Sequence, residues 1–306
     1  MIDFRDPVLA DKDWVERCFR ASGNQGCEYC FATLFLWSGT YRQQVASLGG
    51  YVLERMCGSR GPGYLFPAGS GPLEEALAAL EADAAERGAP CRFFCVTPEQ
   101  GQLLEAIRPG QYRLEEDRDG WDYLYRTDRL ADLTGKKLHG KRNHIHRFEE
   151  RYPDWQVEEV TLDNLSECAQ MDLEWNRLYR TENNGDPEKE AQTRLDERHA
   201  MSKAFAAYGE LGLVGLLLRV EGRVAAFTMG SLINEETVDV HFEKAYGEIQ
   251  GAYPMINREF ARWIREHYPQ VRYLNREDDM GLEGLRRSKN SYYPDRMVEK
   301  YLAVAE

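Results

Sequence analysis

Residues 237–281, TVDVHFEKAYGEIQGAYPMINREFARWIREHYPQVRYLNREDDMG, restrict the possible folds more than any other part of this chain. Val238, Val240 and Phe242 alternate with Asp239, His241 and Glu243, so a strand here buries one face and presents polar groups on the other. A short loop follows at 247–251, and Pro254 falls in the first turn of a helix, where a missing N–H is tolerated. That helix places Tyr253, Ile256, Phe260, Ile264 and His267 on one face, with Arg258, Arg262, Arg265 and Glu266 largely outside it. A second strand, 271–274, ends in Asn275-Arg276-Glu277-Asp278-Asp279. Strand, loop and helix N-terminus in that order predict a site for an anionic acyl carrier, because first-turn N–H groups and the helix dipole both favour negative charge.

The chain of 306 residues has room for two ordinary domains or one large one. Its balance of 42% hydrophobic and 30% charged residues predicts a folded globular protein and excludes a disordered one. A net charge of −13 opposes broad, nonspecific binding to nucleic acid or anionic membranes, yet leaves room for a local basic patch. No apolar run reaches the roughly 18 residues a membrane span requires. Acids stand in MIDFRDPVLADKDW where an export signal would be basic and then apolar, so a cytoplasmic protein is expected. The seven cysteines then read as reduced thiols. Cys27-x-x-Cys30 and Cys91-x-x-x-Cys95 lie in the apolar contexts CEYCFATLFLW and CRFFCV, which favours burial over zinc. No metal is expected.

Residues 1–45 read as helical, with Trp14, Cys18 and Phe19 on one side and a second apolar segment at 31–37. Glycines set off strand candidates at 50–56 and 64–67. Pro72 opens a helix that stops at Gly88, CRFFCVT is the next strand, 98–107 a short helix, and 112–126 one or two strands around Asp119-Gly120. Strands alternating with helices imply an α/β layer. With no phosphate-type glycine loop and no clustered acid/base set, this half (1–126) reads as scaffold or substrate wall.

Residues 127–152 read as a basic helical connector. Lys136, Lys137, Lys141, Arg142, Arg147 and Arg151 against Glu149 and Glu150 leave a local charge of +4. Leu138, Ile145, Phe148 and Tyr152 keep an apolar helical stripe. Such a face is either simply solvated or gripping phosphates, and basic residues mixed with Asn143 and histidines suit the second role. His139, His144 and His146 do not stack on one helix face, which argues against a metal.

The remainder (153–306) alternates again. A strand at 155–161 precedes a helix at 162–180 with Leu165, Cys168, Met171, Trp175 and Leu178 inward. A helix at 187–208 turns Ala191, Leu195, Met201 and Phe205 inward. Strands 213–220 and 223–231 flank Glu221-Gly222, a hairpin signal. After 237–281 come a short helix, 281–288, and a closing amphipathic strand, 296–304.

This order of elements is similar to the GNAT-type acyltransferase fold. The glycine-rich turn that holds the acyl donor's diphosphate in that fold is only echoed by Gln250-Gly251-Ala252, which turns the expected donor away from acetyl-CoA. More closely, the chain resembles soluble relatives of the C-terminal domain of phosphatidylglycerol lysyltransferase, which in turn is similar to Fem-type aminoacyltransferases. The residues that carry this are Glu28-Tyr29-x-Phe31-x-x-Leu34-Phe35-x-Trp37 near the start, and Lys137-Leu138-x-x-Lys141-Arg142-Asn143 with Phe148 in the connector. Further on they are Glu243-Lys244-Ala245 with Gly251-Ala252-Tyr253, Asn275-Arg276-Glu277-Asp278-x-x-Gly281, and Leu285-Arg286-x-x-Lys289-x-x-Tyr292-x-Pro294. The resemblance implies an α/β (α+β) fold of two tandem GNAT-like domains, each a mixed, mostly antiparallel sheet flanked by helices. It also implies transfer of an aminoacyl group from aminoacyl-tRNA to a hydroxyl or amine. Partners would be tRNA at the basic connector and an acceptor that is a lipid or a small molecule, with peripheral membrane contact left open.

An aminoacyl ester is already activated, so such a site must position it, deprotonate the acceptor and stabilise an oxyanion. Glu243 is one candidate base, and Glu277 or Asp278 the other. Asn275 would orient a carbonyl or donate to the oxyanion. Lys141, Arg142, Asn143, Lys244, Gln250, Gly251, Arg286 and Lys289, with Arg287, would hold the donor's phosphates. Each has a plainer role beside it: Glu243-Lys244 as a strand-end ion pair, 276–279 as a solvated turn, Lys289 to Pro294 as packing, His241 as a core histidine. Gly-x-Ser-x-Gly, Walker and His-Glu-x-x-His motifs are absent, which removes support for hydrolase, nucleotidase and zinc-protease functions. The alternatives are an acyl-CoA-dependent N-acetyltransferase and a non-catalytic module that binds RNA or a phosphorylated ligand.

Overall fold

A computed structural model describes residues 2–58, 60–178 and 187–306. In chain order the elements begin α1 (Lys12–Ser22), α2 (Phe31–Tyr41), β1 (Gln44–Leu48), β2 (Tyr51–Gly58), β3 (Gly61–Leu65), β4 (Ala68–Gly69) and α3 (Leu73–Glu86). They continue through β5 (Arg92–Val96), α4 (Pro98–Ile107), β6 (Tyr112–Glu116), β7 (Asp122–Arg126), α5 (Thr127–Asp132), α6 (His139–Arg151), β8 (Gln156–Glu159) and α7 (Leu165–Leu178). Next are α8 (Pro187–Ala206), α9 (Tyr208–Leu211), β9 (Val214–Val220), β10 (Arg223–Asn234), β11 (Thr237–Ala245) and α10 (Ala252–His267). The chain ends with β12 (Tyr273–Asn275), α11 (Glu283–Asn290), β13 (Arg296–Val298) and β14 (Tyr301–Ala305). Among the described helices none is long and apolar enough to cross a membrane.

Two compact units result. The first holds Met1–Leu124, Glu277–Asn290 and Arg296–Glu306; the second holds Tyr125–Arg276 and Ser291–Asp295.

In the first unit the sheet runs β1-β2-β3-β5-β14-β6, with β4 on β2. Only the β3–β5 pair is parallel among those registers; the others are antiparallel. Leu77, Leu80 and Ala84 of α3 pack on Leu53, Tyr64 and Phe93 of the sheet, which together form the core. The α4 start follows from its sequence: Thr97 Oγ1 accepts the Gln100 N–H while the Gln100 side chain accepts the Thr97 N–H, and Pro98 occupies the first helical position.

The last strand departs from expectation. Segment 296–304 is not one strand closing the later half. It breaks at Glu299 and Lys300; β13 pairs with the Asp122–Leu124 half of β7, and β14 inserts between β5 and β6. The break has a local cause: Lys300 turns inward to a buried carboxylate, while its carbonyl accepts the Asp117 N–H and the Trp121 indole. Leu302 and Ala303 then bury against the first unit's core.

In the second unit the order is β7-β12-β11-β10-β9-β8. β8 to β11 are antiparallel, and the α10 crossover makes β12 parallel to β11. Glu221 and Gly222 both have positive φ, the backbone of a two-residue hairpin whose turn matches strand twist. Met255, Ile256, Phe260 and Ile264 of α10 bury completely, as their spacing predicts, whereas Tyr253 and His267 lie outside that face. His267 stacks on Trp263, 4.3 Å between centroids. Leu178 and Leu195 are exposed instead of inward; Leu195 is off the stripe that Met201 defines, whereas Leu178 shares the Met171 face in the last turn of α7. The expected end of the 162–180 helix at residues 179–180 and the inward placement of Ala191 lie outside the described residues.

Candidate functional site

The polar face of β11 carries the chemistry of the second unit. Glu243 leaves the strand near its end with both carboxylate oxygens engaged: Oε1 accepts from Arg276 Nη2 at 2.7 Å and Oε2 from Asn257 Nδ2 of α10 at 3.0 Å. Glu243 and Arg276 side chains are 10% and 12% exposed, so the pair is desolvated but not sealed. The guanidinium lies 5.0 Å from the ring centre of Tyr292 and 5.8 Å from that of Tyr125. Lys141 of α6 also meets Tyr292, its Nζ 3.9 Å from the ring centroid. Among the described residues no carboxylate pairs with that ammonium. Burial lowers Lys141 to about 8, the Arg276 charge adds to the effect and Glu243 opposes it. Beside Glu243, Asn257 Oδ1 is buried and accepts no hydrogen bond among the described residues.

Further along β11, past a bulge opposite Met229 and Gly230, Ser231 Oγ and His241 Nε2 are 2.8 Å apart, and His241 Nδ1 lies 3.4 Å from Asp239 Oδ2. The His241 and Asp239 side chains are fully buried, so this serine, histidine and aspartate tie β10 to β11 and meet no substrate. Asn275 is fully buried at the end of β12, in register with Asp239.

Other expected phosphate ligands in this unit are occupied by the fold. Arg142 donates to the carbonyls of Leu133 and Gly135, closing the end of α5. Asn143 bonds His139 one turn back. Lys244 follows Glu243 and so leaves the opposite strand face; it is buried on Asp172 at 2.6 Å and Glu197 at 3.2 Å, over the Trp175 ring. Gln250 is exposed. The anion site expected at the start of α10 is poorly supplied with donors: the Ala252 N–H already serves Ile249, the Met255 N–H serves Gly251, and Pro254 has none. Gly251, at φ +92°, has α6 where a side chain would be; a Cβ would lie 2.7 Å from the His144 carbonyl. That geometry explains the glycine as a packing requirement between α6 and α10.

Glu277, Asp278, Arg286 and Lys289 belong to the first unit, so the expected single set is distributed over both. Glu277 has φ +55°, a left-handed backbone at the end of the crossover, and its carbonyl accepts the Tyr123 N–H. Asp278 is half-buried; burial pushes it up to about 7, with Asp122 and Glu277 adding to the push and Lys300 and Lys289 opposing it. Arg286 clasps Asp279 with two bonds, at 2.9 and 2.7 Å, and Asp119 with a third at 2.7 Å. Lys289 is buried with its ammonium on the Asp278 carbonyl. Both cations therefore hold the turn after β12.

The first unit also contains an acid/base cluster that the sequence did not reveal. Lys300 pairs with Glu28 and, at 2.6 Å, with the fully buried Asp122, whose other oxygen accepts the Cys27 N–H at 2.8 Å. Burial would lower Lys300, but Asp122, Cys27 and Glu28 hold its ammonium well above the usual range. Nearby Glu54 accepts from Gln43 at 2.8 Å on one oxygen, and its other oxygen meets no donor among the described residues. Burial pushes Glu54 up to about 8, with Glu28 adding to the effect. Cys27, Glu28 and Asp122 present possible ligand atoms within 4.8 Å of one another. The Lys300 ammonium already pairs with both carboxylates, so a metal would have to displace a buried cation.

Comparison with known proteins accords with this architecture. The family model "Phosphatidylglycerol lysyltransferase, C-terminal" matches residues 19–304. A crystal structure of a conserved protein of unknown function from Bacteroides thetaiotaomicron is similar at 37% identity and TM-score 0.92, covering 100% of each chain. The C-terminal domain of a putative lysylphosphatidylglycerol synthetase from Agrobacterium fabrum is similar at 14% identity and TM-score 0.66, over 98% of this chain and 92% of that one. An uncharacterised protein of Mycoplasmoides gallisepticum is 25% identical over 182 residues, 59% of this chain; the matched stretch spans 55% of that relative's length. Each unit is a mixed sheet flanked by helices, the α/β class expected from the sequence.

Proposed function

The chain belongs to the phosphatidylglycerol lysyltransferase C-terminal family, and from that premise we propose that it transfers an aminoacyl group from aminoacyl-tRNA to a hydroxyl or amine acceptor, at the Glu243–Arg276–Lys141 cluster of the second unit. The observation that carries this reading is the half-buried Lys141, a cation with no anionic partner among the described residues, set beside a fixed Glu243–Arg276 pair. A desolvated cation without a counter-ion favours a substrate that brings negative or developing negative charge. Arg276 is held in one orientation by Glu243, so its guanidinium is preorganised for an oxyanion and needs no reorganisation during reaction. Lys136 and Lys137 in the turn before α6, and His144 and Arg147 on it, remain exposed, and Lys137 lies 5.0 Å from the half-exposed Tyr293 ring. Cations beside an aromatic face suit a phosphodiester strand with an unstacked base, which supports tRNA as the donor's carrier.

The test is discharge of aminoacyl-tRNA by purified protein in the presence of hydroxyl and amine acceptors. Discharge above the buffer rate with at least one amino acid is expected; none across the full set rejects the proposal. An acetyl-CoA donor fits less well with the start of α10, where few N–H groups are left to receive a diphosphate. Under the present proposal acetyl-CoA produces no thermal shift.

A further inference from the structure

We propose that the Lys141 amine is the base that takes the acceptor's proton during transfer. The inference rests on the proposed acyl-transfer reaction and adds the residue that moves the proton. Three groups act on this amine from three different segments: Glu243 of β11, Arg276 after β12 and Tyr292 in Ser291–Asp295; Tyr125 of β7 lies 5.8 Å from the Arg276 guanidinium.

The carboxylate in this cluster is poorly placed for the task. Both Glu243 oxygens already accept hydrogen bonds, one of them from a guanidinium that stays charged at any working pH. His241 is fully buried with a partner at each ring nitrogen. Lys141 differs from both. No acceptor among the described residues binds its ammonium, and the Arg276 charge nearby disfavours the proton without removing the amine from reach. The Tyr292 face at 3.9 Å and the negative charge of Glu243 offset part of that penalty, so the ammonium is disfavoured but still accessible. A conjugate acid near neutrality is the property a base needs, and Lys141 is lowered to about 8.

The step balances without a further reagent. As the acceptor oxygen or nitrogen attacks the carbonyl carbon, its proton passes to Lys141 Nζ. The electron pair of the carbonyl moves to oxygen, facing Arg276. Collapse breaks the ester bond between the acyl carbon and the ribose oxygen. The ammonium then returns the proton to that leaving oxygen and is regenerated as the amine.

Two measurements decide the matter. The first requires no turnover: competitive acylation of the whole protein across pH 6–11, with each lysine quantified by peptide mass spectrometry. Lys141 is expected to reach half-reactivity at least one pH unit below the exposed Lys136 and Lys137. Titration together with them overturns the proposal. The second is Lys141→Arg, which keeps the positive charge and the stacking on Tyr292 but cannot release a proton near neutrality. The variant is expected to lose roughly 100-fold or more in kcat, keep KM for aminoacyl-tRNA within about threefold, and lack the rise of kcat towards about pH 8 that the proposal predicts for wild type. Retention of wild-type kcat and pH profile by Lys141→Arg overturns the proposal, as does disappearance of the pH limb in Asp278→Asn instead. Absence of any discharge by wild type rejects the acyl-transfer reaction itself, and the acylation profile still reports separately on Lys141.

Discussion

Residue 276 shows why a pair of charges in this interior cannot be dissected one partner at a time. Arg276→Met leaves Glu243 desolvated beside aromatic rings without its counter-ion, which costs about 3–5 kcal/mol in such settings. Urea unfolding is expected to show that loss for the single variant and a much smaller one for Arg276→Met combined with Glu243→Gln. Glu54 gives a pH-dependent counterpart. Its folded pKa of about 8 lies above the ordinary value of 4.5, so the fold holds a proton that the unfolded chain releases. Stability from this group is complete below about pH 4.5 and falls as pH rises towards 8. Glu54→Gln, which cannot ionise, is therefore expected to gain on wild type progressively over that window, read as the difference in unfolding midpoint between pH 5 and pH 8. Residues of this kind were only partly legible beforehand. Glu243 and Lys141 stood in short runs that pointed to a site. Asn257 lay on a helix face that periodicity marks as core, and Lys300 near the chain end offered no sign that its partners would be Glu28 and Asp122, since ion pairing across such separations leaves no local pattern.

Among the elements, α6 and α10 are tied by the Arg258–Glu149 ion pair and come closest at Gly251. Gly251 combines φ +92° with the α6 backbone where a side chain would stand. Gly251→Ala must strain that backbone and push α6 away, with an expected loss of about 1–3 kcal/mol and, because Lys141 rides on α6, a fall in transfer activity larger than the stability change explains. Thermal melts and discharge assays on the same sample separate the two effects. Elements with a strict period were legible in the sequence: the β9–β10 hairpin, the β11 alternation and the buried stripe of α10 all follow from repeat length and turn chemistry. The anion site at the start of α10 was not, because the sequence shows which residues precede a helix but not which of their N–H groups a turn has already engaged.

For the whole molecule, the decisive feature is that both units are assembled from segments distant in the chain. Removing 296–306 deletes β14 from between β5 and β6, strips Lys300 from Glu28 and Asp122, and exposes two strand edges. Hydrogen exchange is expected to show lost protection in β5 and β6, near residues 92–116, although the deletion lies at the other end of the sequence. Reading the chain in order could not anticipate this: an amphipathic strand carries the same pattern whichever sheet receives it.

The position of β14 also bears on how the protein comes into being. Among the described residues β6 is joined to its sheet through β14, so during translation the first unit waits as an open edge until β14 emerges, while the segments of Tyr125–Arg276 are already available to fold. The usual N-terminal-first order of synthesis and folding is thereby reversed. A chain truncated after residue 295, which keeps Ser291–Asp295, should hold a protease-resistant second unit attached to an unfinished, chaperone-dependent first one.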